Sequence, residues 1–253
     1  MTQDNLGGGT RFSIGRVLVE SVRVLLRNFV PFMLLAVVIA IPSFIISYLS
    51  ARNPAAPDEV FNICSLISGL VGLLTAALTQ SALTYGTLQD LRGQRAGLAD
   101  CVSRGLAATP KVAIAAILWS IAIGIGWVLL VVPGIILMVM FWVYVPAIVV
   151  ENAGVTECFG RSRALTRGHR WGIFGMFLVV GVVIAGLELI LFTRVEDVQA
   201  MAVAMTSGWM LWAISAVSVV ITAYAAVLTS VGYYYLRAEK EGVLIEDIAK
   251  VFD

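Results

Sequence analysis

The stretch that decides the fold is Val112–Val150, VAIAAILWSIAIGIGWVLLVVPGIILMVMFWVYVPAIVV, with Lys111 before it, Glu151 after it and no charge between. A helix needs ~20 apolar residues to cross the ~30 Å hydrocarbon core of a bilayer. The run is about twice as long as one crossing needs, and Pro133-Gly134 stands near its middle. Adjacent Pro and Gly punctuate a chain. The run therefore reads as two crossings, near 112–131 and 134–150, joined by a tight turn at Pro133-Gly134.

Working outward, four more charge-free stretches stand out: Asn28–Ala51, Val60–Gln89, Trp171–Leu187 and Val198–Leu236. They give spans near 29–50, 60–89, 171–193 and 209–236. Thr206-Ser207-Gly208 interrupts the last stretch, so a short interfacial helix is expected near Asp197–Met205. Composition agrees. The chain is 60% hydrophobic and 13% charged, with a mean hydropathy of +0.94, against roughly 25% charged in soluble domains. The expected fold class is all-α: a polytopic integral membrane protein with six transmembrane helices and three amphipathic helices on its cytoplasmic face.

Charge sets the orientation. The formal net charge of +1 hides an asymmetry, because on this span count fifteen of the seventeen Lys and Arg residues fall on one side. Cytoplasmic loops carry the excess of Lys and Arg, so both termini are placed in the cytoplasm. Splitting the last run into two spans would carry Arg237, Lys240 and Lys250 to the other side. Residues 1–11 read as a disordered cytoplasmic tail and 12–253 as one membrane domain. No cleavable signal is evident. The first apolar run follows four arginines and has the length of a retained anchor. Cys64, Cys101 and Cys158 form neither a disulfide framework nor a metal-binding spacing.

The three segments that precede spans one, three and five each carry a cationic face. Ser13 stands where it can cap a helix to about Asn28, with Arg16, Arg23 and Arg27 in one stripe and Ile14, Leu18, Val22 and Leu25 opposite. The second segment holds Arg104 and Lys111. The third, capped by Thr156, holds Arg163, Arg167 and Arg170. Such helices lie on a membrane surface, where each Lys or Arg near anionic headgroups contributes about 1 kcal/mol. These eight residues are the expected lipid-headgroup contacts. A second set is polar and lies within the spans: Ser68, Thr75, Thr79 and Gln80 in span two, and Ser218, Thr222 and Thr229 in span six. Small and hydroxyl residues at helical spacing allow close packing, which is the first reading; a pathway between these two spans is the alternative. The stripes repeat between the two spans at a constant offset, which points to three units of surface helix plus two spans, the middle one degenerate.

Little else carries chemistry. Glu188 lies inside a span, near its outer end. His169, the single histidine, sits at the inner interface without a nucleophile beside it in sequence. Gly7-Gly8-Gly9 lacks the Lys-Ser/Thr of a phosphate loop. No catalytic set, metal site, cofactor or nucleic-acid partner is expected.

Three stretches point to a relative. They are Pro133 to Glu151, Arg161-Ser162-Arg163-Ala164-Leu165-Thr166-Arg167-Gly168-His169-Arg170-Trp171, and Tyr234 to Gly242. Together they resemble the membrane domain attached to some bacterial glycerophosphoryl diester phosphodiesterases and its stand-alone relatives. In the fused proteins a separate soluble barrel performs the reaction, and no such barrel is expected in residues 12–253, so the resemblance does not imply phosphodiesterase activity. The resemblance implies a bacterial inner-membrane module loosely linked to phospholipid metabolism. The expected role is non-enzymatic: organising phospholipids, other membrane proteins or further copies of itself at the cytoplasmic face. A carrier with a pathway between spans two and six is the alternative.

Overall fold

The structure, a computed structural model, describes residues 12–52, 63–94, 96–129, 131–192 and 208–242. The tail at 1–11, the interfacial helix expected near Asp197–Met205, and the Glu188 side chain lie outside the described residues. Every regular element described is a helix: α1 (Ile14–Arg27), α2 (Phe29–Arg52), α3 (Ile63–Leu91), α4 (Leu98–Leu129), α5 (Val131–Met140), α6 (Tyr144–Glu151), α7 (Glu157–Thr166), α8 (Arg170–Phe192) and α9 (Gly208–Glu241). Among the described residues five segments are long and apolar enough to cross a membrane, with α5 and α6 together forming one of them. α8 makes a sixth when joined to α7, across a bend of 95°. The chain is a multi-pass membrane protein.

α3 and α9 form the centre. α2 and α4 pack on α3, and α1 packs on α9. Packing is uneven along their length. The C-terminal halves of both central helices are buried, including Ala82, Leu83, Val227, Val231, Tyr233 and Leu236. The opposite halves of the spans leave large apolar side chains uncovered, among them Leu66, Leu70, Ile121, Ile125 and Leu189. Helices saturate their own backbone hydrogen bonds, so apolar side chains can face lipid along the whole span. The tight core therefore sits at one end, where the charged residues gather.

α1 lies across that end. The Phe12 N–H donates to Glu239 Oε2 at the close of α9 (2.6 Å), and Arg27 pairs with Asp90 at the close of α3. Val17, Ser21, Val24 and Leu25 recur at helical spacing and are buried, while Val19, Val22 and Leu26 remain exposed beside Arg16 and Arg23.

Three expectations change in detail. The second surface segment is no separate helix: α4 runs from Leu98 straight through Pro110 into the span. Cys101, Gly105 and Thr109, four residues apart, extend the buried stripe of the span, so nothing breaks the helix between them. A Cβ on Gly105 would stand 2.9 Å from the Ala82 Cβ, a measure of how closely α3 and α4 approach. α4 ends at Leu129 and α5 begins at Val131, so Pro133 and Gly134 lie in the first turn of α5 and not in a turn between two spans. Proline is tolerated there because the first helical N–H groups have no partner to lose. Gly134 is instead a contact point, where a Cβ on Gly126 of α4 would meet its Cα at 2.9 Å. Neither Ser13 nor Thr156 makes a side-chain capping bond. At the start of α7 the Gly154 N–H donates to Glu157 Oε2 instead (2.9 Å).

Span four is broken at Phe141–Val143, between α5 and α6. A break strands backbone groups that must be satisfied. α7 supplies the partners: the Ser162 hydroxyl accepts from the Val143 N–H (3.2 Å) and donates to the Met140 carbonyl (3.0 Å), which Thr166 also bonds (3.2 Å). The break lets the Trp142 ring turn inward against Gly232.

Candidate functional site

At the charged end, α6, α7 and α9 each contribute ionisable groups to one closed circuit. Arg161 donates from Nε and Nη2 to the Glu151 carboxylate, at 2.7–2.9 Å, and from Nη2 to Glu241. Glu241 accepts from Arg237 Nε, one turn earlier on α9 (2.8 Å). Arg237 Nη1 donates to the Tyr233 hydroxyl (3.2 Å), which donates to Glu151 Oε1 (2.6 Å). Tyr233 is fully buried. The local folding explains the placement. α6 ends at Glu151 because Asn152 takes the left-handed conformation (φ 52°), and Arg237 and Glu241 share a face of α9 through their four-residue spacing. Two carboxylates meet two guanidiniums, so the circuit is neutral and its hydrogen-bonding capacity is largely spent.

A second cluster ties the α7–α8 elbow to the same end. Glu239 lies 3.3 Å from His169 Nε2 while accepting from the Phe12 N–H. The Phe12 ring stands edge-on to the imidazole, centroids 5.2 Å apart. Lys240 donates to the Ala164 carbonyl.

Beside the circuit is a cavity of about 540 Å³, between the end of α3, the first half of α4 and α6. Its polar lining is Tyr85, Gln89, Arg92, Arg104 and Asn152, and its apolar lining includes Leu88, Ala108, Ile148 and Val149. Arg92 is placed by the end of α3. The Gln94 N–H bonds the Gln89 carbonyl (2.9 Å) and the Gly93 N–H bonds that of Asp90 (3.0 Å). This closure needs a left-handed residue, which Gly93 provides at φ 74°. Arg92 Nε and Gln89 Oε1 are buried without a hydrogen-bond partner. Burial, then the charge of nearby Arg237, pull the Arg92 guanidinium below its ordinary value.

The eight basic residues expected at headgroups divide. Arg27 pairs with Asp90, and Arg23 with Glu20 (2.8 Å). Lys111 donates to Asn152 Oδ1 (2.7 Å) and so holds the end of α6. Arg170 is half-buried, with Nε unbonded. Arg16, Arg23, Arg104, Arg163 and Arg167 are exposed. Arg161 and Arg237, which also count toward the charge asymmetry, have their side chains turned inward. Of the polar stripe, Thr75, Thr79, Ser218 and Thr222 line a cleft of about 310 Å³ between α2, α3 and α9. Ser68, Gln80 and Thr229 do not line it. Thr79 and Thr229 bond carbonyls of their own helices (2.8 and 2.7 Å), whereas Ser43 and Thr75 bond across α2 and α3.

The family model for a domain of unknown function, DUF7847, matches residues 70–239, more than half of the chain. The chain belongs to that family. The matched segment holds the whole cavity and all of the circuit except Glu241, and it leaves out α1 and α2. No curated protein matches the chain, and no solved structure does.

Proposed function

We propose that this member of the DUF7847 family is a non-catalytic membrane protein whose basic end gathers anionic lipids, and partner proteins with them, at the cytoplasmic face. The observation that carries the reading is the juxtaposition of exposed arginines with exposed apolar side chains on α1 and around the α7–α8 elbow. Arg23, with a side chain 65% exposed, lies among Val19, Val22 and Leu26, and Arg163 and Arg167 lie near Trp171, which is 86% exposed. A surface with both properties fits the boundary between headgroups and acyl chains. The basic end is assigned to the cytoplasm on the positive-inside rule. A bacterial plasma membrane and a loose tie to phospholipid metabolism follow from the sequence resemblance and belong to the same proposal. The carboxylates best placed for chemistry, Glu151 and Glu241, are held by Arg161 and Arg237, which supports a structural use for them.

The reading is tested on protein in nanodiscs containing phosphatidylglycerol and phosphatidylcholine. Native mass spectrometry of the released protein counts the lipids retained. The Arg23→Gln/Arg163→Gln/Arg167→Gln variant is expected to lose anionic lipid selectively. Equal retention of phosphatidylglycerol by variant and parent contradicts the proposal.

A carrier role is the second reading, favoured by the cleft at Thr75, Thr79, Ser218 and Thr222. In a chain with its native cysteines replaced, Thr75→Cys and Thr222→Cys would react with a water-soluble maleimide if the cleft is hydrated. Protection of both removes this reading.

A further inference from the structure

We propose that the cavity between α3, α4 and α6 binds a phosphate group, carried by a lipid headgroup or by a small soluble phosphate, with Arg92 and Arg104 as its two cationic contacts. This deepens the lipid-gathering reading above and rests on it, giving the basic end one defined site in addition to a diffuse surface.

Charge is the first support. The neighbouring circuit neutralises itself, Glu151 and Glu241 against Arg161 and Arg237. Among the described residues no carboxylate lines the cavity. Asp100 lies one turn before Arg104 on α4, and neither it nor any other described acid forms an ion pair with Arg92 or Arg104. The cavity thus holds two guanidiniums that no described acid pairs. Burial and Arg237 both disfavour the charge on Arg92, and an anion in the cavity reverses that penalty.

Hydrogen bonding is the second. A buried N–H without an acceptor is costly, and Arg92 Nε is one. The guanidinium fork matches two phosphate oxygens. Gln89 and Tyr85 are within 3.0 Å of each other. There the Gln89 Nε2 amide donates to the Tyr85 hydroxyl, which leaves the hydroxyl proton as a further donor toward the cavity.

Shape is the third. At about 540 Å³ the cavity is within the few-hundred to roughly 1,000 Å³ range of small-molecule sites. Arg104 and Asn152 are exposed at its rim, while Leu88 and Ile148 form a buried apolar wall. A polar group beside an apolar wall suits a phosphate with an acyl continuation.

The test uses the full-length chain, first in nanodiscs containing phosphatidylglycerol and phosphatidylcholine, then in detergent with inorganic phosphate or glycerol 3-phosphate. The parent is expected to retain one phosphatidylglycerol through delipidation, and the Arg92→Gln/Arg104→Gln variant to hold it at least tenfold more weakly. The Arg92→Lys/Arg104→Lys variant, which keeps charge and loses the fork, is expected to be intermediate and guards against a folding defect. If the source is soluble, inorganic phosphate or glycerol 3-phosphate raises the thermal midpoint of the parent and leaves the Gln variant unmoved. Equal lipid retention by parent and Gln variant, with no phosphate-dependent shift that separates them, overturns the site. The two proposals fail differently. Loss of the single tight lipid in the Arg92/Arg104 variant, with an unchanged lipid shell in the Arg23/Arg163/Arg167 variant, retires the surface reading alone.

Discussion

Arg161 of α7 holds Glu151 at the end of α6 through three hydrogen bonds of 2.7–2.9 Å, and the same guanidinium reaches Glu241 at the end of α9. The consecutive helices α6 and α7 are thereby locked to α9, whose Glu241 lies 80 residues beyond Arg161 in the chain.

Arg161→Gln leaves two carboxylates facing each other in a pocket where the charged side chains are between 13% and 28% exposed. Removing one partner of a fully buried pair costs roughly 3–5 kcal/mol. Partial exposure reduces this to about 2 kcal/mol here. Thermal unfolding in detergent is expected to show the loss, and Glu151→Gln in the Arg161→Gln background to recover part of it. Additive losses in the double variant would mean that the two residues do not act together.

The Arg27–Asp90 pair provides the contrast. Arg27 is 52% exposed, and exposed pairs are worth about 0–1 kcal/mol. Arg27→Gln is expected to shift the unfolding midpoint far less than Arg161→Gln, with the difference shrinking little in high salt. A larger effect at Arg27 would reverse the ranking of the two contacts.

Gly232→Ala places a methyl group 2.1 Å from the Trp142 ring, which is 8% exposed. Overpacking of this kind costs about 1–3 kcal/mol. Pairing the change with Trp142→Leu is expected to restore part of the stability. An unchanged midpoint in Gly232→Ala would show that the ring is free to move.

Cys101 and Cys158 are 4% and 0% exposed. Neither is expected to react with a small maleimide until the protein is unfolded, whereas Arg104→Cys at the cavity rim labels at once. Rapid labelling of Cys158 would place α7 away from the core.

The spans were legible because a bilayer imposes a length and an absence of charge that survive in any sequence. The break at Phe141–Val143 was not, because its backbone groups are satisfied by Ser162 and Thr166, about twenty residues away in the chain. The continuity of α4 was missed because Pro110 and the charges around it read as a boundary, whereas Cys101, Gly105 and Thr109 carry one buried stripe across it. The circuit was half visible. Glu151, Arg161, Arg237 and Glu241 all fall in the stretches that carry the resemblance read from the sequence. Local patterning cannot tell a guanidinium that faces lipid from one that faces a carboxylate on another helix. That distinction belongs to packing, and so does the cavity beside Arg92.

Photocrosslinking tests the central claim, that the basic end gathers anionic lipid, most directly. The protein is placed in nanodiscs with a photoactivatable phosphatidylglycerol or the matching phosphatidylcholine, irradiated, digested and mapped by mass spectrometry. The phosphatidylglycerol probe is expected to label peptides from α1 and the α7–α8 elbow several-fold more than the phosphatidylcholine probe, and to label the apolar faces of α3 and α4 no more than it does. Equal labelling of α1 and the elbow by the two probes would contradict the account.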